Sequence, residues 1–362
     1  MNALLRCLCC GALVGSAGRA SADPPTAPPI DVLGPAVAAA PSGAAQRAAW
    51  EQRRRAVRAA VEQAMGPLPS PDRPVPLDVR VVEDRVAGNV RLRKLSYCTD
   101  AADRRATAWL LAPRTAPTVR APAALCLHQT VEIGKDEPAG LGGNPHLHYA
   151  RELAERGYVT LAPDYPSFGE YAYEFAEARY ASGSMKAIYD NVRAVDLLQT
   201  LDEVDPRRIA AIGHSLGGHN AIFTAFFEPR IGAVVSCCGF TRFHRYYGGK
   251  LAGWTSPRYM PRIAERYGND PDRVPFDFPE LIACLAPRPL LAVAPLGDDN
   301  FAVEGVRETI AGAGRAYALL GVAENLQAVY PDCDHDFPAD ERRQAYRFLD
   351  EHLGHEAPRS YE

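Results

Sequence analysis

Apolar residues recur along this chain in two rhythms, and the rhythm changes near residue 121. Before it, Ala44 to Met65 sets Trp50, Val57 and Val61 at helical spacing among Ala, Gln, Glu and Arg, which predicts one long helix. Gly66-Pro67 ends it. Two strand-like runs follow, Leu77 to Val86 and Val90 to Tyr97, separated by the hairpin-forming Ala87-Gly88-Asn89. Thr107 to Ala112 is a third. Residues 44–120 therefore read as a helix plus antiparallel strands flanking the main domain. From residue 121 to 355, short apolar runs alternate with helical stretches. Strands are expected at Ala123–Leu127, Tyr158–Ala162, Ile209–Ile212, Ile231–Cys237, Pro289–Ala294 and Leu326–Tyr330. Helices are expected at Tyr149–Arg156, Met185–Leu201, Asn220–Phe227 and Arg342–Leu353. Such alternation, with strands apolar throughout, predicts an α/β fold whose mostly parallel sheet is covered by helices on both faces.

One stretch fits neither rhythm. Between the strand near Cys238 and the strand at Pro289 lies an insertion, residues 241–285, with no clear strand signal and many aromatics, among them Phe243, Tyr246, Tyr247, Trp254, Tyr259, Phe276 and Phe278. An insertion of that length either packs its rings into the core or walls a site. Both readings stand at this point.

Composition narrows the classes. The 362 residues are 47% hydrophobic and 23% charged, enough for a sizeable core. A formal charge of -4 excludes nucleic acid as a principal partner, and no apolar run approaches a membrane span. The first 22 residues resemble a signal peptide: Arg6 is the positive start, Cys7 to Ala17 the apolar core, and Ala20-Ser21-Ala22 the cleavage signature. Export to the periplasm or the medium follows as an expectation. Residues 23–43, rich in Pro and Ala, read as a flexible linker. No C-x-x-C or H-E-x-x-H spacing indicates a metal site, and nothing calls for a cofactor. Oligomeric state is not encoded in any pattern here.

The chemistry concentrates at Gly213-His214-Ser215-Leu216-Gly217, a G-x-S-x-G pentapeptide between an expected strand and an expected helix. A serine at such a turn projects its hydroxyl above the sheet, flanked by glycines where strand and helix close on each other. Serine needs a base, and the base an acid. His335 is the favoured base because it follows the last strand. The acid is Asp298, in the loop after the preceding strand, with Asp299 as the alternative. His214 is expected to point away from the base, and His219 to be structural. For the oxyanion, the backbone donors expected are Leu216 and Thr130, with Gln129 second to Thr130. His128, Arg242, Arg245, Tyr246 and Trp254 are candidates for substrate contact.

From about Ala121 to Leu353 the chain resembles a serine hydrolase of the α/β-hydrolase superfamily, and within it the dienelactone-hydrolase-like and acetyl-xylan-esterase-like esterases. Gly213-His-Ser-Leu-Gly217, Gly297-Asp298-Asp299 and Asp334-His335-Asp-Phe carry that resemblance. The oxyanion loop departs from it, with His128-Gln129-Thr130 where many relatives have His-Gly-Gly or His-Gly-x. The resemblance implies a carboxylic-ester hydrolase working through an acyl-enzyme. The expected export and the aromatic insertion suggest a small-molecule or carbohydrate ester as substrate, such as an acetyl or methyl ester on a polysaccharide. A prolyl-oligopeptidase-like peptidase is the second enzymatic reading, with no propeller-sized N-terminal half to favour it. A binding module on a retired hydrolase fold is the third, and it would be expected to have lost Ser, His or acid.

Overall fold

The computed structural model describes residues 30–70, 74–101, 103–115, 119–175 and 179–357. The expected signal peptide lies outside them, as does the first part of the expected linker. From residue 30 onward that linker is not a loose tether. A short helix α1 (Pro35–Ala38) forms within it, Val32 and Val37 are buried in the core, and Arg53 Nε donates to Val32 O at 3.2 Å. Two valines among the alanines, and the backbone carbonyl offered to Arg53, give the segment its grip. The long helix α2 (Gly43–Met65) begins where Ser42 Oγ accepts from Ala45 N, and buries Trp50, Val57 and Val61.

Strands β1 (Arg80–Ala87), β2 (Val90–Cys98) and β3 (Arg105–Pro113) form the antiparallel flank. The alternating part then runs β4 (Ala121–Leu127), α3 (Tyr149–Glu155), β5 (Val159–Pro163), α4 (Gly183–Gln199), β6 (Val204–His214), α5 (Leu216–Phe227) and β7 (Ile231–Cys237). The insertion contributes two short α-helices, α6 (Arg262–Tyr267) and α7 (Phe278–Ala283). The chain closes with β8 (Leu290–Val293), α8 (Val303–Leu320), β9 (Leu326–Val329) and α9 (Ala339–Leu353).

All nine strands among the described residues join one sheet in the order β1-β2-β3-β5-β4-β6-β7-β8-β9. β3 meets β5 antiparallel, and every pairing from β5 to β9 is parallel. Side chains of the central strands alternate between two cores. Leu125, Ala211 and Val234 face a layer containing α2, α4, α5, α7 and α8, whereas Cys126, Ile212 and Val235 face α3 and α9. A strand buried on both sides has no polar register, which is why these runs read as continuous apolar stretches.

The helix α8 is absent from the sequence expectations. Its 18 residues include Gly305, Gly312 and Gly314, which read as interruptions. Two of these glycines serve packing: a Cβ on Gly312 would lie 2.7 Å from Ile30, and one on Gly305 2.0 Å from Thr241 Oγ1.

Candidate active site

The loops that end β4, β6, β8 and β9 all lie at the carboxyl edge of the parallel strands, where sites of such sheets are built. At the end of β6 the chain turns sharply into α5, and Ser215 at that turn has φ 53° and ψ −117°. A non-glycine residue there is strained, and the surroundings hold it. Ser215 N donates to Cys237 O at 2.9 Å, and Ser215 O accepts from Gly218 N and His219 N. The flanking glycines are sterically required, since a Cβ on Gly217 would lie 1.8 Å from Leu127 O and one on Gly213 2.3 Å from the Gly217 backbone.

His335, in the loop after β9, places Nδ1 2.9 Å from Asp298 Oδ2 in the loop after β8. The other oxygen of Asp298 accepts from the amides of Asn300 and Phe301 at 2.9 and 3.0 Å. Burial opposes charge on Asp298, but the His335 bond and these two amides hold its carboxyl below the usual range. Burial likewise disfavours a charged His335, yet the Asp298 carboxylate and the neighbouring Cys238 raise its pKa above the ordinary imidazole value. That favours the imidazolium formed when the ring accepts a proton. Asp298 is buried and Asp299 exposed, and it is Asp298 that meets the ring.

Ser215 opens on a cavity of about 70 Å³ lined by Thr130, Leu216, His219, Tyr246, Trp254 and Phe301, among others. Leu216 is the first residue of α5, so its N–H precedes any intrahelical partner. Thr130 reaches the cavity from the loop after β4, and its hydroxyl lies 3.2 Å from that of Tyr259 on the insertion. The insertion does both things expected of it: Phe243, Phe276 and Phe278 are core residues, while Tyr246, Trp254 and Tyr259 line the cavity.

The side-chain amide of Gln129, as distinct from the backbone N–H expected as a donor, donates to Glu137 at 3.1 Å. His128 is buried, with Nε2 accepting from Tyr165 N at 2.9 Å and Nδ1 at Gln129 O, so its ring is occupied away from Ser215. Arg242 and Arg245 both pair with Glu308, and neither lines the Ser215 cavity. Their charges meet a glutamate of α8, an element the sequence did not disclose.

Two histidines depart from expectation. The His214 ring packs edge-on against His335, with centroids 4.8 Å apart, so it faces the base. Burial, and then His335, push its pKa down to about 3. His219 lines the cavity beside Trp254, and burial pushes it down to about 3 as well. Gly253, Tyr259, Asn300 and Phe301 line the cavity without having been singled out. Phe301 had a usable signal, three residues beyond Asp298.

Sheet order, elbow and loops together define a hydrolase of the serine-hydrolase superfamily on an α/β-hydrolase fold. More narrowly, the chain belongs to the prolyl oligopeptidase family, whose pattern matches residues 146–356. It is 29% identical over 213 residues to YtaP of Bacillus subtilis (strain 168), a protein named as a hydrolase, covering 57% of this chain and 68% of that one. Among solved structures it is similar to a glucuronoyl esterase from Solibacter usitatus, at 19% identity and TM-score 0.67, covering 83% of this chain and 93% of the other. A glucuronoyl esterase from Caldicellulosiruptor kristjansonii gives 20% identity and TM-score 0.61, covering 85% and 86%. At such identities these likenesses speak for the fold.

Proposed function

We infer that this protein is an exported carboxylic-ester hydrolase that cleaves small acyl or alkyl esters, such as acetyl or methyl esters borne on carbohydrate, through an acyl-enzyme. The observation that carries it is the Asp298–His335 pair at 2.9 Å, whose imidazole lies against Phe301, a wall of the small aromatic cavity on which the strained Ser215 opens. In this mechanism His335 takes the Ser215 proton as Oγ attacks the ester carbonyl. Asp298 fixes the ring's tautomer and balances the imidazolium. The amides of Leu216 and Thr130 receive the oxyanion. His335 then returns the proton to the leaving alcohol, and water repeats the sequence to free the acid. At roughly 10–15 Å³ for each water position, a cavity of about 70 Å³ that opens to solvent accommodates a group of acetyl size. Rings of Tyr246 and Trp254 offer flat apolar faces to a sugar. The resemblance to carbohydrate esterases in fold is consistent with that substrate class.

Family membership favours one other reading, a serine peptidase. Both are tested by incubating the purified protein with a fluorophosphonate probe, p-nitrophenyl esters of increasing acyl length, and prolyl and alanyl p-nitroanilides. The expected result is labelling that Ser215→Ala abolishes, with turnover of the acetate exceeding that of longer esters and of the anilides. Faster turnover of anilides would transfer the assignment to a peptidase. Neither labelling nor turnover would end the hydrolase reading.

A further inference from the structure

Around His335 three metal-type donors converge. A ring nitrogen of His214, Cys238 Sγ and a ring nitrogen of His335 lie within 4.8 Å of one another. They come from three different places in the chain: the last residue of β6, the residue after β7 and the loop after β9. Sequence spacing could not have revealed them.

The second observation is the state of His214. Its side chain is 1% exposed, and neither of its ring nitrogens has a hydrogen-bond partner. A buried imidazole left without partners forfeits the hydrogen bonds that water gave it, which is unfavourable. Its ring packs edge-on against that of His335, with centroids 4.8 Å apart. Cys238 is buried too, so nothing but the two histidines and its own neighbours competes for the sulfur. Those neighbours are Cys237 Sγ at 3.7 Å and the Asp336 carbonyl at 3.5 Å.

We propose that His214, Cys238 and His335 form a binding site for a borderline-soft divalent cation of the zinc type, and that occupation of this site switches the hydrolase off. Two imidazoles and one thiol are the donor set such ions prefer. Tetrahedral coordination with bonds of about 2.0–2.3 Å sets the donors roughly 3.3–3.8 Å apart, so closure by about an ångström through side-chain rotation completes three corners. Water fills the fourth. Cys238 loses its proton to solvent as the sulfur–metal bond forms, which leaves the bound ion with one residual positive charge. Coordination disables the base through either nitrogen. At Nδ1 it would displace the bond to Asp298; at Nε2 it would occupy the nitrogen that must accept the Ser215 proton, with Asp298 then supporting the ligand as a carboxylate partner.

The inhibition arm rests on the proposed role of His335, whereas the binding arm does not. Full-length protein, freed of metal with chelator and kept under reductant, is titrated with Co²⁺ and followed by absorption. One equivalent should give intense visible bands and a near-ultraviolet thiolate-to-cobalt band. Cys238→Ala and His214→Ala should each lose the thiolate band or weaken affinity about tenfold or more, and Cys237→Ala should keep it; melting curves establish that each variant is folded. In parallel, Zn²⁺ should suppress p-nitrophenyl acetate hydrolysis reversibly with chelator, each variant being judged against its own metal-free rate. Unchanged cobalt spectra in folded Cys238→Ala and His214→Ala, or no thiolate band in the native chain, would overturn the site. A native band without any Zn²⁺ inhibition would overturn the switch. A protein that binds cobalt but never turns over ester would instead count against the hydrolase reading.

Discussion

At the scale of single residues, the site divides its carboxylates sharply. Asp298 gives one oxygen to His335 and the other to two amides, while its neighbour Asp299 is exposed. Replacing the first should therefore cost what loss of the base's orienting acid costs, about 10³–10⁴-fold in kcat. Asp299→Asn should stay within a few-fold of wild type in the same ester assay. His219 offers a second prediction, on stability. Its pKa falls from an ordinary 6.5 to about 3 because burial rejects the charged ring. Above pH 6.5 folded and unfolded chains are equally deprotonated here. Below it the unfolded ring takes a proton that the folded ring refuses, so stability falls as pH falls, by up to about 1.4 kcal/mol per unit. Urea titrations from pH 7 to 4 should show that slope, and His219→Gln should make it shallower. The serine turn and the His335–Asp298 contact were legible because Ser215, Asp298 and His335 each follow a recognisable strand. Arg242 and Arg245 were misread because a positive charge in an aromatic stretch says nothing about the acid it will meet.

At the scale of elements, legibility tracked apolar rhythm. β7 runs from Ile231 to Cys237, as its hydrophobic run predicts, and α2 spans the expected helix with one extra residue at its start. The helix α8 escaped because its glycines imitate a loop when read locally, and only the three-dimensional neighbours explain them. Gly312 lies against Ile30, a contact between positions 282 apart that no local window contains. Where α5 leaves the elbow, the same tightness makes a prediction. Gly217→Ala would press a methyl group to 1.8 Å from Leu127 O, which is backbone and has little room to move. Overpacking of this kind costs about 1–3 kcal/mol or more. The urea midpoint should drop, and ester turnover should fall with it, since the loop after β4 carries Thr130.

For the whole molecule, the sheet changes from antiparallel to parallel at the β3–β5 pairing, and the loops that carry Ser215, Asp298 and His335 gather on the parallel part. The N-terminal flank nonetheless belongs to the same body, because α2 and the segment before it share the core that supports α7 and α8. A chain begun at residue 43 would lose Val32 and Val37, both buried, and the Ser42 cap of α2. Two buried valines at about 1.5–3 kcal/mol each, plus a cap of about 1 kcal/mol, predict a clearly lowered melting temperature with little change in helical signal. Survival of the full melting temperature would show that the segment only rests on the surface.

The elbow serine carries one more consequence. Its backbone, at φ 53° and ψ −117°, occupies territory that glycine enters freely and serine does not. Ser215→Gly should therefore melt higher than the native chain while losing all ester turnover, which calorimetry and the acetate assay would record side by side. Held against its own conformational preference, the serine has no reason to persist on structural grounds. A lineage released from chemistry would drift to glycine there and gain stability by doing so. Under the proposed mechanism, serine at this one position is a strained residue kept for a reaction and not for the fold.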